Sequence, residues 1–407
     1  MKKIAVNLLA IIALVVFATS CSEDETVEKF SPLGVEKDKA NIEEEGIELV
    51  GDLKSLSETD FATAGINMNQ LLDSQSELAS NKLIEAMALL GTSMANEEPL
   101  QDQMTILKEI SLDQQGFLSQ LWDEGCGVWD WDKAQNTFVH SSTEGATATY
   151  HFPASAAAES NNATLILSDF KAGQQVEMNG KKIELVETFK AEMTVGEELI
   201  GTLEVNNTFD SNGIPQSVNI TFSPLPFIFE MELKNTNNEE ASWRYTFKED
   251  KRIIVEHILS VKGSVSTESI NTVETTLQIE NIVVHGVVDG DALAKEIQTI
   301  MQKYGTTGED GGFEMPETNE AAAMAELVKA INDHTRLELK YADSGNLIAK
   351  VEAVVTDDNG HKDIDLLFIF ADDSKVDAET YFADSMKNFE DELTKFITEL
   401  EGKMGIQ

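Results

Sequence analysis

Cysteine is almost missing from this chain: of 407 residues only Cys21 and Cys126 carry a thiol. If Cys21 is engaged elsewhere, Cys126 has no partner, and a disulfide framework is excluded. Cations are scarce too, with 30 Lys and Arg against 73 Asp and Glu, a formal charge of −43. So acidic a body repels nucleic acid and anionic lipid instead of steering toward them, so neither is an expected partner. Catalytic signatures are also absent. The sequence has no G-x-S-x-G, no G-x-G-x-x-G, no G-x-x-x-x-G-K-[ST] and no H-E-x-x-H. Its six histidines (140, 151, 257, 285, 334 and 361) are scattered, which argues against a zinc site. These gaps move the expectation away from an enzyme, and no cofactor or metal is expected.

What the chain does have begins at its first residues. Lys2 and Lys3 form a basic stretch, Ile4 to Phe17 an apolar one, and Ala18-Thr19-Ser20-Cys21 closes it with small residues and a thiol. The apolar run is shorter than the roughly 20 residues that a membrane span requires, and the small residues after it mark a cleavage site. The arrangement resembles a bacterial lipoprotein signal peptide. That resemblance implies removal of residues 1–20, acylation of Cys21, and anchoring to a membrane through its lipid. Each buried CH₂ contributes about 0.8 kcal/mol, so several chains hold where one does not. Ser22-Glu23-Asp24-Glu25 follow directly and resemble the serine-plus-acidic tetrad that exports lipoproteins of the Bacteroidota to the outer face of the outer membrane. From there to about Gly46 the chain stays polar and acidic, which reads as a flexible spacer, and residues 21–48 are assigned to it.

Beyond the spacer the sequence predicts an α+β fold: N-terminal helices packed on a large antiparallel meander sheet, followed by a helix–three-strand–helix C-terminal part. Helical spacing holds from about Leu53 to Trp122, carried by Leu71, Leu72, Leu78, Leu83, Ile84, Met87 and Leu90, then by Met104, Ile106, Leu107 and Ile110. Past Gly127 the period becomes two. Strands are expected around Ile183–Met193, Leu199–Val205, Val218–Phe222, Phe227–Leu233, Ser242–Phe247, Ile253–Leu259 and Leu277–Val288, with turns at Asn179-Gly180 and Ser211-Asn212-Gly213. A helix over about 291–304 completes a part spanning residues 49–305. Residues 306–317 read as a linker. The last part, 318–407, carries a helix around Met324–Ile331, three strands at 337–341, 347–355 and 364–370, and a helix from near Asp377 to about Glu401. It either stands alone or completes the same sheet. In the final helix Phe382, Met386, Phe389, Leu393, Phe396 and Leu400 form a short heptad-like seam, whose commoner meaning is packing within the chain.

The most distinctive local chemistry is Gly127-Val128-Trp129-Asp130-Trp131-Asp132. On a strand Trp129 and Trp131 share one face, Asp130 and Asp132 the other. Exposed, the four would make a ligand-binding platform on which a glycan stacks; buried, the indoles would pack under the helices, which is the usual fate of tryptophan. The passage from Gly127 through Tyr150-His151-Phe152 to Asn161-Asn162-Ala163 resembles a lipoprotein family of the Bacteroidota, and that implies location but no activity. Carboxylate pairs at 130/132, 289/291, 357/358 and 372/373 lack the spacing of an EF-hand loop and read as solvated turns. Cys126 lies beside Asp123 and Glu124, which raise a thiol pKa, so it reads as a core residue and not as a nucleophile. The expectation is a non-catalytic cell-envelope lipoprotein, a surface-displayed binding or accessory module whose partner is a glycan, a lipid or an envelope protein. The alternatives are a carrier enclosing an apolar ligand under a curved sheet and, third, a glycan hydrolase with two carboxylates about 5 to 10 Å apart.

Overall fold

The computed structural model describes residues 29–73, 118–178, 181–236, 239–264, 269–307, 313–314, 317–358, 361–378, 380–381 and 387–404. The signal and export residues 1–25 and the helical stretches expected around 78–90 and 104–110 lie outside these. The fold is α+β. Three helices come first: α1 (Val35–Ser57), α2 (Asp60–Asp73) and α3 (Leu118–Gly125).

A long run of strands follows: β1 (Gly127–Asp132), β2 (Thr137–Ser142), β3 (Ala148–Phe152), β4 (Ala163–Met178), β5 (Lys181–Val195) and β6 (Glu198–Phe209). It continues with β7 (Pro215–Pro224), β8 (Phe227–Thr236), β9 (Glu240–Glu249), β10 (Arg252–Ser264), β11 (Ser269–Ile279) and β12 (Ile282–Asp289). Then come α4 (Gly290–Tyr304), the short pair β13 (Thr306–Thr307) and β14 (Phe313–Glu314), and α5 (Glu317–His334). The chain ends with β15 (Thr335–Tyr341), β16 (Leu347–Asp358), β17 (His361–Ile369), β18 (Lys375–Asp377) and α6 (Lys387–Met404). All strands but β13 and β14 join one 16-stranded sheet ordered 18-17-16-15-12-11-10-9-8-7-6-5-4-3-1-2. It is a meander apart from the parallel β1–β3 pairing and the insertion of α4 and α5 between β12 and β15.

The chain divides into two compact units, one of residues 1–52, 235–244 and 253–399, the other of 53–234, 245–252 and 400–407. In the second unit the period-two alternation of β3 buries Ala148, Tyr150 and Phe152. Ala64, Met68 and Leu72 of α2 and Trp122 of α3 join them with Leu167, Phe189 and Val205 from the strands. Gly201 leaves room for the ring of Phe61, since a Cβ there would collide with it. Glu184 of β5 caps the start of α3, accepting from Ser119 N at 2.8 Å and Ser119 Oγ at 3.1 Å.

In the first unit one cluster gathers Ile42 of α1 with Ile282, Leu339, Tyr341, Phe368, Phe370 and Tyr381. A second packs Leu293 and Ile300 of α4 and Ala330 and Ile331 of α5 on Val288 and Ala353. Asp289 caps α4, accepting from Ala292 N at 2.8 Å, the role expected of a short polar side chain at that point.

Two expectations change. The acidic spacer does not reach Gly46: residues 35–57 form a helix that buries Asp38, Ile42, Gly46 and Val50. Acidity concealed an apolar stripe spaced four residues apart. The run Leu277–Val288 is two strands, broken where Glu280 takes a left-handed φ of 49°; a two-residue turn without glycine left no turn signal. The helix expected from near Asp377 does start there: Ala378, Thr380 and Tyr381 are helical, and the Asp377 carboxylate at the end of β18 accepts from Thr380 N at 2.8 Å. Of the seam in α6, Phe389 packs on Gly46. Of the linker assigned to 306–317, Thr306 pairs with Glu314 and Thr307 with Phe313.

Candidate functional site

Strand β1 alternates buried and half-buried residues, and Gly127, Trp129 and Trp131 take the inward positions. Trp129 lies flat on the His140 ring with centroids 4.1 Å apart, and its Nε1 donates to Gly125 O at 2.9 Å. Trp131 meets Phe138 edge-on at 5.2 Å. Their exposures are 9% and 7%. The glycan platform is therefore corrected: a stacking surface needs an open indole face, and both faces here are spent on the core. Gly127 is required for this packing, because it sits at φ +120° and a Cβ would strike the Ser142 backbone oxygen and His140 Nε2.

The other face of β1 carries the two aspartates, and they do different things. Asp132 closes the β1–β2 hairpin, accepting from Ala134 N, Gln135 N and Gln135 Nε2. Those bonds, the Gln135 side chain first, hold its carboxyl below the usual range. Asp130 pairs with His151 across the parallel β1–β3 ladder. His151 Nδ1 donates to Asp130 Oδ1 at 2.7 Å, with both side chains more than a third exposed. The hydrogen bond from Ser141, then the one from His151, keeps the Asp130 carboxyl below its ordinary value. The trio contains the residue types of a nucleophilic triad in the wrong order. Serine bonds the carboxylate, whereas activation needs serine on the imidazole. What the dyad does offer is an oriented imidazole beside a carboxylate on an open face. No sequence signal joins residues 21 apart on parallel strands.

In the first unit a second histidine sits among carboxylates. His285 Nε2 lies 3.3 Å from Glu274 Oε1, and Nδ1 lies 3.8 Å from Glu338 Oε2. Glu338 is buried and paired with Arg336 Nε at 2.6 Å. Nearby on the same kind of face, buried Glu256 accepts from Arg244 Nε at 2.9 Å and from its terminal nitrogen at 2.6 Å. Buried carboxylates of this sort persist because each has a guanidinium. His257 is different. It is half-buried, edge-on to the Trp243 ring at 5.1 Å and bonded to Thr275 Oγ1 at 3.1 Å, and loss of solvent pushes its pKa down.

Three carboxylates that the sequence did not bring together converge in the first unit. One oxygen each from Glu45, Glu48 and Glu280 lie within 4.8 Å of one another. All-oxygen sets suit hard divalent cations. Burial raises the Glu45 pKa, opposed by the Asn281 N–H and helped by Glu48, Glu44 and Asp343. Glu45 and Glu48 share one side of α1, and Glu280 arrives from the β11–β12 turn. None of the four aspartate pairs noted in the sequence joins this group; Asp289 caps a helix and Asp372 closes a turn on Ser374. Cys126 is half-buried against the core of the second unit, and burial followed by Asp123 pushes its thiol pKa up. It is held as the thiol, as a packing residue is.

Cys21, Ser22, Glu23, Asp24 and Glu25 lie outside the described residues. Among those described, no helix is long and apolar enough to cross a membrane. Comparison with protein-family models, with curated proteins and with solved structures finds no match.

Proposed function

We propose that this chain is a lipid-anchored envelope protein, displayed at the outer membrane, whose sheet acts as a non-catalytic binding or accessory surface. The observation that carries the reading is the run from Lys2 to Cys21, with the acidic tetrad behind it. The arrangement of the described residues supports the non-catalytic half. The tryptophans are core, Cys126 is a protonated thiol, and Asp132 is a turn residue, whereas the open faces carry ion pairs and the Asp130–His151 dyad. Cys21→Ser tests the anchor: the wild-type protein should fractionate with membranes and carry acyl mass, and the variant should do neither. Protease treatment of intact cells tests display, since a surface protein is degraded and an inward-facing one survives.

A second reading, carriage of an apolar ligand, draws on a ladder of rings in the second unit. Phe222 stacks on Phe229 at 5.8 Å and Phe229 on Phe247 at 4.5 Å, with Tyr245 6.4 Å from Phe229. Phe222, Phe229 and Tyr245 all stay partly exposed. Native mass spectrometry of the purified protein separates the two readings: a co-purified lipid favours the carrier, and a bare mass favours the binding surface.

A further inference from the structure

Fixed structure begins very close to the proposed anchor. Leu347 N donates to Lys29 O at 2.9 Å and Ser31 N to Leu347 O at 2.7 Å, so residues 29–31 run as a parallel bridge along the start of β16. The next residues are pinned as firmly. Ser31 Oγ and Tyr341 OH both donate to Asp38 Oδ1 at 2.8 Å, and Asn41 Nδ2 donates to Tyr341 OH at 2.9 Å. Asp38 is 3% exposed, at the foot of a helix that the core holds. Between Cys21 and this lock stand seven residues, Ser22 to Glu28. Eight Cα steps reach at most about 28 Å however they are arranged.

We infer that this leash holds one end of the first unit against the lipid head groups. The surface concerned is the β15–β16 turn at residues 342–346, beside which Lys29 enters, together with the Pro32-Leu33-Gly34 turn that follows; its partner is the bilayer that carries the acyl chains. The inference rests on the lipoprotein reading and adds an orientation to it. Leu33, four residues past the point where the chain enters the fold, is an apolar side chain 43% exposed. Ser31 Oγ, which accepts from Leu33 N at 3.2 Å, and Gly34, at φ +83°, fix that turn in place. Ala342 N and Asp343 N donate to Asn281 O and Oδ1 at 2.8 and 3.0 Å, which makes the neighbouring turn rigid as well. Charge does not draw this acidic body to lipid. Its repulsion is screened within about 8 Å at physiological salt, well inside the leash, so covalent reach sets the distance.

The test uses the full acylated protein in phosphatidylcholine vesicles, with a nitroxide quencher on the head group. A fluorophore is placed on Ser344→Cys or on Asp365→Cys, both in a Cys126→Ser background. Ser344 lies in the near turn. Asp365 pairs with Val354, seven residues along β16 from Leu347 and so about 23 Å away. Several-fold stronger quenching at Ser344 than at Asp365 is expected, and a long Gly/Ser insertion after Glu28 should bring Ser344 down to the Asp365 level. Equal quenching at the two positions, or an insertion without effect, overturns the orientation. Flotation of the same samples keeps the two ideas apart. Protein that does not float with vesicles sinks the anchor itself, whereas protein that floats with equal quenching sinks only the orientation.

Discussion

In the second unit the covered face of the meander is built from rings: Trp122, Trp129, Trp131, Phe138, Tyr150, Phe152 and Phe189 share one cluster with few polar atoms among them. In the first unit one cluster is aliphatic and alanine-rich, the other mixes Tyr341, Phe368, Phe370 and Tyr381 with aliphatic side chains, and a buried carboxylate, Asp38, is tied to Ser31 and Tyr341 beside them. Rings fill volume in few residues and tolerate no truncation. A hydrogen-bonded carboxylate contributes less by volume and fixes where a segment enters. The second unit therefore rests on packing, whereas the first adds to its packing a polar lock that registers residues 29–38 against the sheet.

The largest expected effect breaks the packing side. Trp131→Ala removes an indole that is 7% exposed, and truncations of this kind cost about 3–5 kcal/mol. Urea unfolding followed by fluorescence should show an early transition, because three of the four tryptophans, Trp122, Trp129 and Trp131, lie in the second unit. Trp243 reports separately from the first. A shared, unshifted transition would contradict the partition.

On the registering side, Asp38→Ala leaves Ser31 and Tyr341 hydroxyls without their acceptor. Buried groups so orphaned cost about 1–3 kcal/mol. Hydrogen exchange at residues 29–35 should quicken more than at β12, since the network holds that entry strand and not the sheet behind it. Burial and then Asp38 push the Tyr341 pKa up, and Tyr341→Phe should reproduce part of the effect by removing one donor to Asp38 together with the acceptor of Asn41 Nδ2.

Much of this architecture was legible beforehand, and the reasons for the exceptions are particular. Alternation in β5 through β10 declared itself because one face of each strand is covered and the other is wet. Helix α1 did not, because Glu43-Glu44-Glu45 and their neighbours outnumber the Ile42, Gly46 and Val50 stripe. The Leu277–Val288 run hid a turn because Glu280-Asn281 carries no glycine; its left-handed residue is a glutamate. At the candidate sites the local pattern placed Trp129 and Trp131 on one face correctly but could not say that helices cover it. Asp130 with His151, His285 with Glu338, and Glu45 with Glu280 are all products of long-range strand order, on which spacing is silent.

A subtler break concerns His257, whose lowered pKa comes from burial. A neutral native imidazole contributes stability that is fully present above the unfolded value near 6.5. As pH falls from there the unfolded chain takes up the proton first, so stability declines until the folded pKa is reached. The slope is at most about 1.4 kcal/mol per pH unit for one group. His257→Gln should flatten the acid limb of the first unit's stability, read from Trp243, and leave the second unit's unchanged.

The smallest effect sharpens the comparison at the surface. Asp130 and His151 form a short pair, but both side chains are more than a third exposed, and pairs so placed contribute under about 1 kcal/mol because water screens them. Asp130→Asn should leave unfolding of the second unit nearly unmoved. It should nonetheless loosen the His151 ring, seen by NMR as changed side-chain shifts, because the carboxylate that orients the imidazole is gone. Glu338→Gln in the first unit removes an equally modest-looking partner of His285, yet Glu338 is buried and carries Arg336. That substitution should cost stability as well as disturb the ring. If the two variants behave alike, exposure is not what separates the open faces of the two units, and the case for the Asp130–His151 dyad as a free recognition group weakens with it.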